Sequence, residues 1–441
     1  MKRFAIALSL TLPLAGLFVV QVEPVAQAPA RDPGVRSGAD AGGAIVAQTA
    51  PEFLLFTAGK EDFEETEGVG DGLGPRMNLD SCAGCHLQPA TGGSSPPNNP
   101  QNAFAKAVSP SQLGKVASFV KQNGPVVEVR FKFKPDGTPD GGVHALFVIS
   151  NRSDETGTAS GCPISQENFA AEIAHGNAIF RIPTPVFGAG LIEAIPDTKI
   201  LEGATTKQFG ITGRTNIVSG GTVGRFGWKA QHAKLLDFAA EAYNVEMGIT
   251  NDLNQFTRTE LDPAGALNGP CDFKHQVPND PGAADDAIHK FANFMRLLAA
   301  PTPSIATPGG SASILRGRLL FDAPPTGVGC ALCHTPTLMT GASTVTALSS
   351  QPVKLYSDLL IHNMGLGLAD GITQGQAGGA DFRTAPLWGL GQRIFFLHDG
   401  RTTDLIAAIR AHGGEATPVV NLFNARTEAE KQDLLNFLRS L

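Results

Sequence analysis

The sequence predicts a mainly helical protein made of two related domains with long loops. Three observations lead to this fold class. First, a motif of the form Cys-x-x-Cys-His occurs once in each half of the chain. Second, the 51 glycines and 31 prolines predict long connections rather than extended helices or a regular barrel. Third, apolar residues recur at helical spacing in segments 113–122, 165–180, 234–243, 284–298, 312–321, 403–411 and 428–438.

The two Cys-x-x-Cys-His motifs carry the strongest chemical signal. Two thiols one helical turn apart can bond to the two vinyl groups of one porphyrin, and the His that follows can donate a nitrogen to its iron. A zinc site or a redox-active dithiol would not need a His after each pair. The motifs therefore predict two covalently bound c-type haems in two cytochrome c-like domains. The predicted haem-binding residues are Cys82, Cys85, His86, Cys330, Cys333 and His334.

The beginning of the chain predicts export. Residues 1–28 read as a cleaved signal peptide: Lys2 and Arg3 precede an apolar run at 4–20, and Ala26-Gln27-Ala28 is typical of a cleavage site. The run is shorter than the ~20 residues that span a bilayer, so we expect no stable membrane insertion. Because c-type haem is attached outside the cytoplasm, we expect a periplasmic protein. A net charge of -7 offers no basic face for nucleic acid.

A stretch rich in Pro and Gly at 300–310 predicts the domain boundary. An N-terminal haem domain is expected at 29–300 and a C-terminal haem domain at 305–441. Alternating apolar residues on either side of the turn 135–137 predict a small β-hairpin inserted at about 126–150. The two cysteines outside the motifs, Cys162 and Cys271, could form a disulfide in an oxidising compartment.

Several segments around the motifs carry a family resemblance. They are residues 71–75, 187–197, 224–230, 246–250, 357–365, 382–391, 396–401 and 412–416. Here the chain resembles the bacterial di-haem cytochrome c peroxidases and their relatives that mature methylamine dehydrogenase, and it looks most like the branch of thiol or di-haem oxidoreductases. The resemblance implies a peroxidase-like oxidoreductase that uses hydrogen peroxide and a small redox protein as electron donor. The alternatives are a non-enzymatic di-haem electron-transfer protein and an oxidase of an organic or thiol substrate.

In that family the C-terminal haem is the electron donor. Its distal ligand lies about fourteen residues past the His of a Phe-His-x-Gly segment. The corresponding His here is His398, so the resemblance implies His412 as the second iron ligand. The relatives have Met or Tyr at this place, so a His is a departure from the pattern. Met364, thirty residues after His334, is the alternative ligand.

The N-terminal haem carries the chemistry in the family. Its iron faces a Glu, and a Trp between the haems precedes that Glu by about twenty residues. Here Trp228 precedes Glu246 by eighteen, which implies Trp228 as the inter-haem aromatic and Glu246 as the distal acid–base group. No His or Met closely follows His86, so we expect an open distal site. The alternative ligands are Met77, His144 and His175.

Two further predictions concern groups that bind ions or charged groups near the haems. Arg181 and Arg383 occur in repeated segments, and their guanidinium groups are suited to binding haem propionates. The family also binds calcium near the haem interface, partly through backbone carbonyls. By position these would be the carbonyls of Arg393 and Phe395, with Asn216 as a further ligand.

Overall fold

The computed structural model describes residues 28–37, 40–68, 71–74, 76–108, 116–140, 149–150, 167–249, 251, 253 and 286–441. Within these ranges the chain is mainly helical, which confirms the predicted fold class. The helices are α1 (Ala50–Glu64), α2 (Cys82–Cys85), α3 (Pro100–Val108), α4 (Phe169–Ala174), α5 (Ala189–Glu193), α6 (Asp197–Gly203), α7 (Leu235–Met247), α8 (Ala287–Leu297), α9 (Gly310–Phe321), α10 (Leu405–Ala411), α11 (Thr417–Asn424) and α12 (Glu428–Ser440).

The strands of the described residues are short and form two-stranded antiparallel sheets. They are β1 (Arg76–Met77), β2 (Glu128–Phe131), β3 (Ile149–Ser150), β4 (Ala178–Arg181), β5 (Leu338–Met339), β6 (Pro352–Val353), β7 (Ile361–Asn363) and β8 (Asp381–Arg383). The pairs are β1 with β3, β2 with β4, β5 with β6, and β7 with β8. The second pair places Val129 opposite Phe180, and the fourth places His362 opposite Phe382.

The predicted hairpin at 126–150 is present around its turn. The N–H of Lys134 donates to the carbonyl of Thr138 at 2.8 Å, the N–H of Asp140 donates to that of Lys132 at 3.0 Å, and Phe133 forms an antiparallel bridge with Pro139. Residues 141–148 lie outside the described residues, and the strands on either side pair with other segments: β2 with β4, and β3 with β1. Alternating apolar residues predict a strand with one buried face, but they do not select the strand that covers it.

The helical periodicity is confirmed for the segments at 234–243, 312–321, 403–411 and 428–438 and for the described part of 284–298. It is wrong for two segments. Residues 116–122 contain turns and extended backbone, and segment 165–180 holds only the short helix α4 before strand β4 begins. The two segments contain three Phe residues, and the ring of Phe119 packs against those of Phe169 and Phe180 at centroid distances of 5.3 and 4.8 Å. Aromatic burial here overrides local helix preference.

Each motif lies beside a pair of packed helices. Helix α1 packs on α8 next to the first motif, and α9 packs on α12 next to the second. Glycines permit the close approach in both pairs. A Cβ at Gly59 would lie 2.3 Å from the carbonyl oxygen of Lys290, and a Cβ at Gly317 would lie 1.9 Å from that of Asp433. Apolar side chains around these helix pairs form the two largest hydrophobic cores.

No helix in the described ranges is both long and apolar enough to cross a membrane. The segment predicted to be a signal peptide lies outside the described residues except for its last position. Cys162, Cys271 and His144 also lie outside them, so the disulfide between the two cysteines stays a prediction.

Substituting Gly317 with Ala tests the close packing of α9 on α12. Helix propensity alone favours Ala over Gly by about 1 kcal/mol. The clash with the Asp433 carbonyl should reverse this, and we expect Gly317→Ala to lower the free energy of unfolding by about 1–3 kcal/mol. Denaturant unfolding of the purified protein measures the change. Ser311→Ala, at an exposed position of the same helix, is the control and should change stability by less than about 0.5 kcal/mol. A stabilised Gly317→Ala protein would contradict the packing.

Candidate functional site

A first cavity of about 710 Å³ lies beside the first motif. Residues from several elements line it, among them Cys85, His86, Glu128, Arg130, Trp228 and Glu246. Helix α7 contributes Glu246 from its last turn. The carbonyl of Glu246 accepts a hydrogen bond from the N–H of Asn78 at 2.6 Å, so the end of α7 is fixed to the segment that leads into the motif.

The ring of His86 is oriented by the loop that follows it. Its Nδ1 lies 3.0 Å from the carbonyl oxygen of Gly93. A carbonyl can only accept, so Nδ1 carries the proton and the lone pair of Nε2 is free for a metal. The loop turns tightly enough that a Cβ at Gly93 would lie 2.0 Å from the Gln88 carbonyl oxygen. Burial lowers the pKa of His86 to about 4, so the imidazole is neutral at neutral pH, as a metal ligand must be.

Glu246 occupies an acidic environment in the same cavity. Burial raises the pKa of its carboxyl to about 8, and the charges of Glu128 and Glu241 add to this effect while Arg130 opposes it. Two of these neighbours are paired: Glu128 Oε1 lies 2.6 Å from Arg130 Nε, and Glu241 binds His232. A carboxyl that titrates near neutral pH can both give and take a proton, which general acid–base chemistry requires.

A second cavity of about 1350 Å³ lies beside the second motif. His334 and His412 both line it, together with Cys330, Cys333 and Met364. His334 Nδ1 lies 3.0 Å from the carbonyl oxygen of Tyr356, and His412 Nδ1 lies 2.8 Å from that of Ala408. Both imidazoles therefore have Nε2 available, as in His86. Burial lowers the pKa of both rings, that of His334 to about 4.

His362 also lines the second cavity, but its ring is already engaged on both sides. Nδ1 lies 2.9 Å from Glu415 Oε2, and Nε2 lies 3.1 Å from Asp358 Oδ2. Burial alone would lower the pKa of His362, but hydrogen bonds with Asp358, Cys333 and Glu415 raise it to about 12. The ring is therefore an imidazolium ion that holds the loop before Glu415, and not an iron ligand. Met364 lies on the same cavity wall, so the choice between Met364 and His412 stays a prediction.

Trp228 lies between the two cavities and lines both of them. Its Nε1–H donates to the carbonyl of Ile182 at 3.0 Å. On the side of the second cavity, the His398 ring meets the Trp228 ring edge to face at 6.3 Å and stacks on Phe382 at 4.4 Å. Burial lowers the pKa of His398 to about 4, so this ring is neutral. An aromatic path thus connects the two cavities.

A family model described as "Di-haem oxidoreductase, putative peroxidase" matches residues 135–441, which is well over half of the chain. The chain belongs to the di-haem oxidoreductase family. The predicted resemblance is confirmed, and the family implies haem cofactors. A comparison with curated protein sequences gave no match.

Three solved structures are similar to parts of this di-haem oxidoreductase. A MauG-like protein associated with microbial copper homeostasis is 19% identical, with 59% of this chain and 90% of that chain covered and a TM-score of 0.30. The di-haem peroxidase BthA from Burkholderia thailandensis is 15% identical over 50% of this chain and 66% of that chain, with a TM-score of 0.29. Hydrazine synthase from Kuenenia stuttgartiensis is 17% identical over 35% and 55%, with a TM-score of 0.24.

Two arginines at the second cavity fit the acidic groups of a haem. Arg393 is buried and Arg383 is half-buried, and Nε and Nη2 of Arg393 have no hydrogen-bond partner in the part of the chain that the structure describes. Burial lowers the pKa of each guanidinium to about 10, which still leaves both charged at neutral pH. Neither forms an ion pair with a carboxylate among the described residues, and a buried charge without a counter-ion is strongly unfavourable, so an anion from outside the chain would stabilise the pair. The propionates of a haem would supply one.

Arg181 lines the first cavity and is partly engaged by the protein. Its Nη2 lies 2.6 Å from Asp370 Oδ2, and its Nη1 donates to Gln374 Oε1 at 2.7 Å, while its Nε is buried without a hydrogen-bond partner among the described residues. A propionate role for Arg181 therefore stays a prediction, and Arg393, which the sequence analysis considered only for its carbonyl, is a further candidate beside Arg383. A single arginine in a loop has no sequence pattern that would have identified it.

Two of the three oxygens predicted to bind calcium already accept hydrogen bonds within the protein, and calcium binding stays a prediction. Asn216 Oδ1 accepts a hydrogen bond from Gln376 N–H at 2.8 Å, and the Arg393 carbonyl accepts one from Arg439 Nη1 at 2.9 Å. Nearby, the buried ammonium of Lys229 donates to the carbonyls of Gly378 and Asp381 at 2.9 Å. No cluster of three His, Cys, Asp or Glu side chains in the described ranges is arranged to hold a metal ion.

Asp370 offers a stability test for the region between the cavities. Its carboxylate lies 2.6 Å from Arg181 Nη2 and 3.1 Å from Lys229 Nζ, and all three side chains are buried. Asp370→Ala leaves two buried cations unpaired, and we expect the free energy of unfolding to fall by about 3–5 kcal/mol. Glu202→Ala removes the exposed pair with Lys199 and should cost less than about 1 kcal/mol. Denaturant unfolding compares the two, and equal losses would contradict the buried cluster.

Proposed function

We propose that this di-haem oxidoreductase is a periplasmic, peroxidase-like enzyme. In this proposal hydrogen peroxide is reduced at a haem held by His86, and electrons reach that haem from a second haem held by His334 and His412. A small redox protein reduces the second haem. One observation carries the proposal, namely that the two cavities differ in the side chains that face the iron position.

Of the neutral imidazoles that line the second cavity, those of His334 and His412 each have Nδ1–H bonded to a backbone carbonyl and Nε2 free. These two residues would hold the iron of a haem, and a haem held by two imidazoles would supply electron transfer. Among the described residues that line the first cavity, His86 is the one imidazole, and no methionine lines it. The acidic side chain of Glu246 is present instead. This difference supports a second haem that would be held by two protein ligands and a first haem that would be held by one.

Of the alternative ligands for the first haem, the described ones lie elsewhere. Met77 is fully buried in the hydrophobic core, where its backbone pairs with Ile149. His175 ends helix α4 at an exposed position. Neither lines the first cavity, which supports an open site there. A pure electron carrier would need a second ligand at this position.

Covalent attachment is part of the same proposal. Cys82 and Cys85 begin and end the single turn of α2, and Cys330 begins the short 3₁₀ turn that leads to Cys333. Each pair precedes its His, so two thioether bonds and an axial nitrogen come from one compact turn. Because such attachment takes place outside the cytoplasm, the attachment supports export by the predicted signal peptide.

The haem iron at His86 would supply the position at which peroxide binds and is reduced. Glu246 takes the proton from the inner peroxide oxygen and returns it to the outer one, so that the leaving oxygen departs as water. Burial and the charges of Glu128 and Glu241 raise the pKa of Glu246 to about 8, and the charge of Arg130 opposes this shift. Trp228, which borders both cavities, shortens the gap that electrons must cross.

The substitution His412→Ala tests whether His412 is the second protein ligand of the haem at the second motif. Removing the imidazole should open the second haem, and we expect its low-spin spectrum to become high-spin while the first haem is unchanged. Optical and EPR spectra of the holoprotein measure this. Met364→Leu is the matched control from the same cavity and should leave both haems as they are. If Met364→Leu opens the haem and His412→Ala does not, the assignment is reversed.

Glu246→Gln tests the acid–base role. We expect the rate of reaction with hydrogen peroxide to fall by about 10²–10⁴-fold, because Gln cannot accept and return the proton. The active form is the carboxylate, so the wild-type rate should rise as the pH increases through about 8. Glu128→Gln removes a negative neighbour and should move this rise to lower pH. Stopped-flow absorption measures both. A Gln variant with the wild-type rate and pH profile would contradict the role.

A further inference from the structure

A buried acid–tyrosine pair lies beside the first motif and has no part in the reaction proposed above. Tyr243 lies on α7, one turn before Glu246, and its hydroxyl donates to Glu67 Oε1 at 2.8 Å. Tyr243 is 2% exposed and Glu67 is 8% exposed. A buried tyrosine usually finds a hydrogen-bond partner, but an ionisable carboxyl is a costly one to bury. The pairing therefore needs an explanation beyond packing.

Aromatic rings connect this pair to His86. The Tyr243 ring meets the Phe291 ring at 5.0 Å, Phe291 meets Phe63 at 6.1 Å, and Phe63 meets the His86 ring at 5.9 Å. Helix α7 also contacts the haem-attachment turn directly, because Met247 Sδ lies 3.8 Å from Cys82 Sγ. Tyr243 is thus joined to the proximal side of the first haem position by closely packed groups.

The chemistry of phenol oxidation explains why a base beside Tyr243 matters. A phenol that loses an electron becomes a strong acid, so its oxidation inside a protein requires a nearby base for the proton. Burial raises the pKa of Glu67 to about 7 and the hydrogen bond from Tyr243 opposes this, while Glu65 and Asp71 raise the pKa further. A carboxylate of higher pKa is a stronger base than one in water, and this one lies within hydrogen-bond distance of the phenol.

We propose that Tyr243 is a redox-active residue that holds one oxidising equivalent produced at the first haem. One electron passes from the phenol to the haem that peroxide has oxidised. The O–H bond of Tyr243 breaks, and the proton forms an O–H bond on Glu67. An electron from the donor later reduces the tyrosyl radical, and Glu67 returns the proton. The inference rests on the proposed function, because hydrogen peroxide is the oxidant.

Tyr356 provides an internal comparison, since the chain has 2 tyrosines. Its ring packs on Phe321 at 5.7 Å and on Phe437 at 6.0 Å, and its backbone carbonyl orients His334. Its hydroxyl donates to no side chain among the residues that the structure describes. Tyr356 is therefore a tyrosine beside a haem position without a base for its proton, and the proposal expects it to stay reduced.

The test is EPR spectroscopy of the haem-loaded protein, frozen after mixing the oxidised form with one equivalent of hydrogen peroxide. We expect a tyrosyl radical in the wild type and in Tyr356→Phe, and its loss in Tyr243→Phe. Glu67→Gln keeps a hydrogen-bond acceptor but cannot take the proton, so radical formation should slow by about 10²-fold or more. Haem content and thermal unfolding of each variant show whether it has folded.

A tyrosyl signal that persists in Tyr243→Phe, or that disappears in Tyr356→Phe, would overturn the inference. So would a wild type that consumes peroxide without forming any tyrosyl radical, a result that leaves the proposed peroxidase function standing. Should the wild type not react with peroxide, the proposed function fails, and a photogenerated ruthenium(III) oxidant replaces peroxide in the same series. Tyr243 must then yield the radical in preference to Tyr356, and the opposite order refutes the proposal.

Discussion

The carboxylate of Asp370 fixes the segments that lie between the two cavities. It binds Arg181 from β4 and Lys229 from the segment after Trp228, and all three groups are out of water. Burial lowers the pKa of Lys229 to about 8, and Asp370 opposes this shift, so the ammonium keeps its charge at neutral pH. Because Lys229 follows Trp228 in the chain, fixing the lysine also fixes the aromatic ring that both cavities share. The aromatic path between the cavities therefore depends on this ionic cluster.

The two cavities differ in electrostatic character. Beside the first motif, burial and the charges of Glu128 and Glu241 raise the pKa of Glu246. Beside the second motif, Arg393 is buried and Arg383 is half-buried, and neither forms an ion pair with a carboxylate in the part of the chain that the structure describes. Positive charge near a haem favours its reduced form and anionic propionates, whereas an acidic cavity favours groups that exchange protons. Charge thus divides the molecule into a side suited to electron storage and a side suited to proton-coupled chemistry.

The hairpin and the predicted calcium ligand Asn216 show what local patterns leave undecided. Residues 126–134 alternate as a strand should and the turn after them forms, yet β2 pairs with β4, about fifty residues further along the chain. Asn216 lies at the predicted place, but its side chain is used by Gln376, Gln374 and the Lys229 carbonyl. In both cases the residue type was read correctly, and the partner was decided by which groups compete for it in the folded chain.

The sequence by itself determined the family and most of the long helices, and it predicted the haem-attachment residues and the roles of Trp228, Glu246 and His412. It could do so because these features depend on spacing along the chain or on matching segments. Only the tertiary structure decided that Glu246 shares a cavity with His86, that Arg393 lines the second cavity beside Arg383, and that Tyr243 is paired with Glu67. Burial and hydrogen-bond partners determine pKa values, and they determine which charged groups lack a counter-ion. Burial and hydrogen bonding are established only when distant segments pack together.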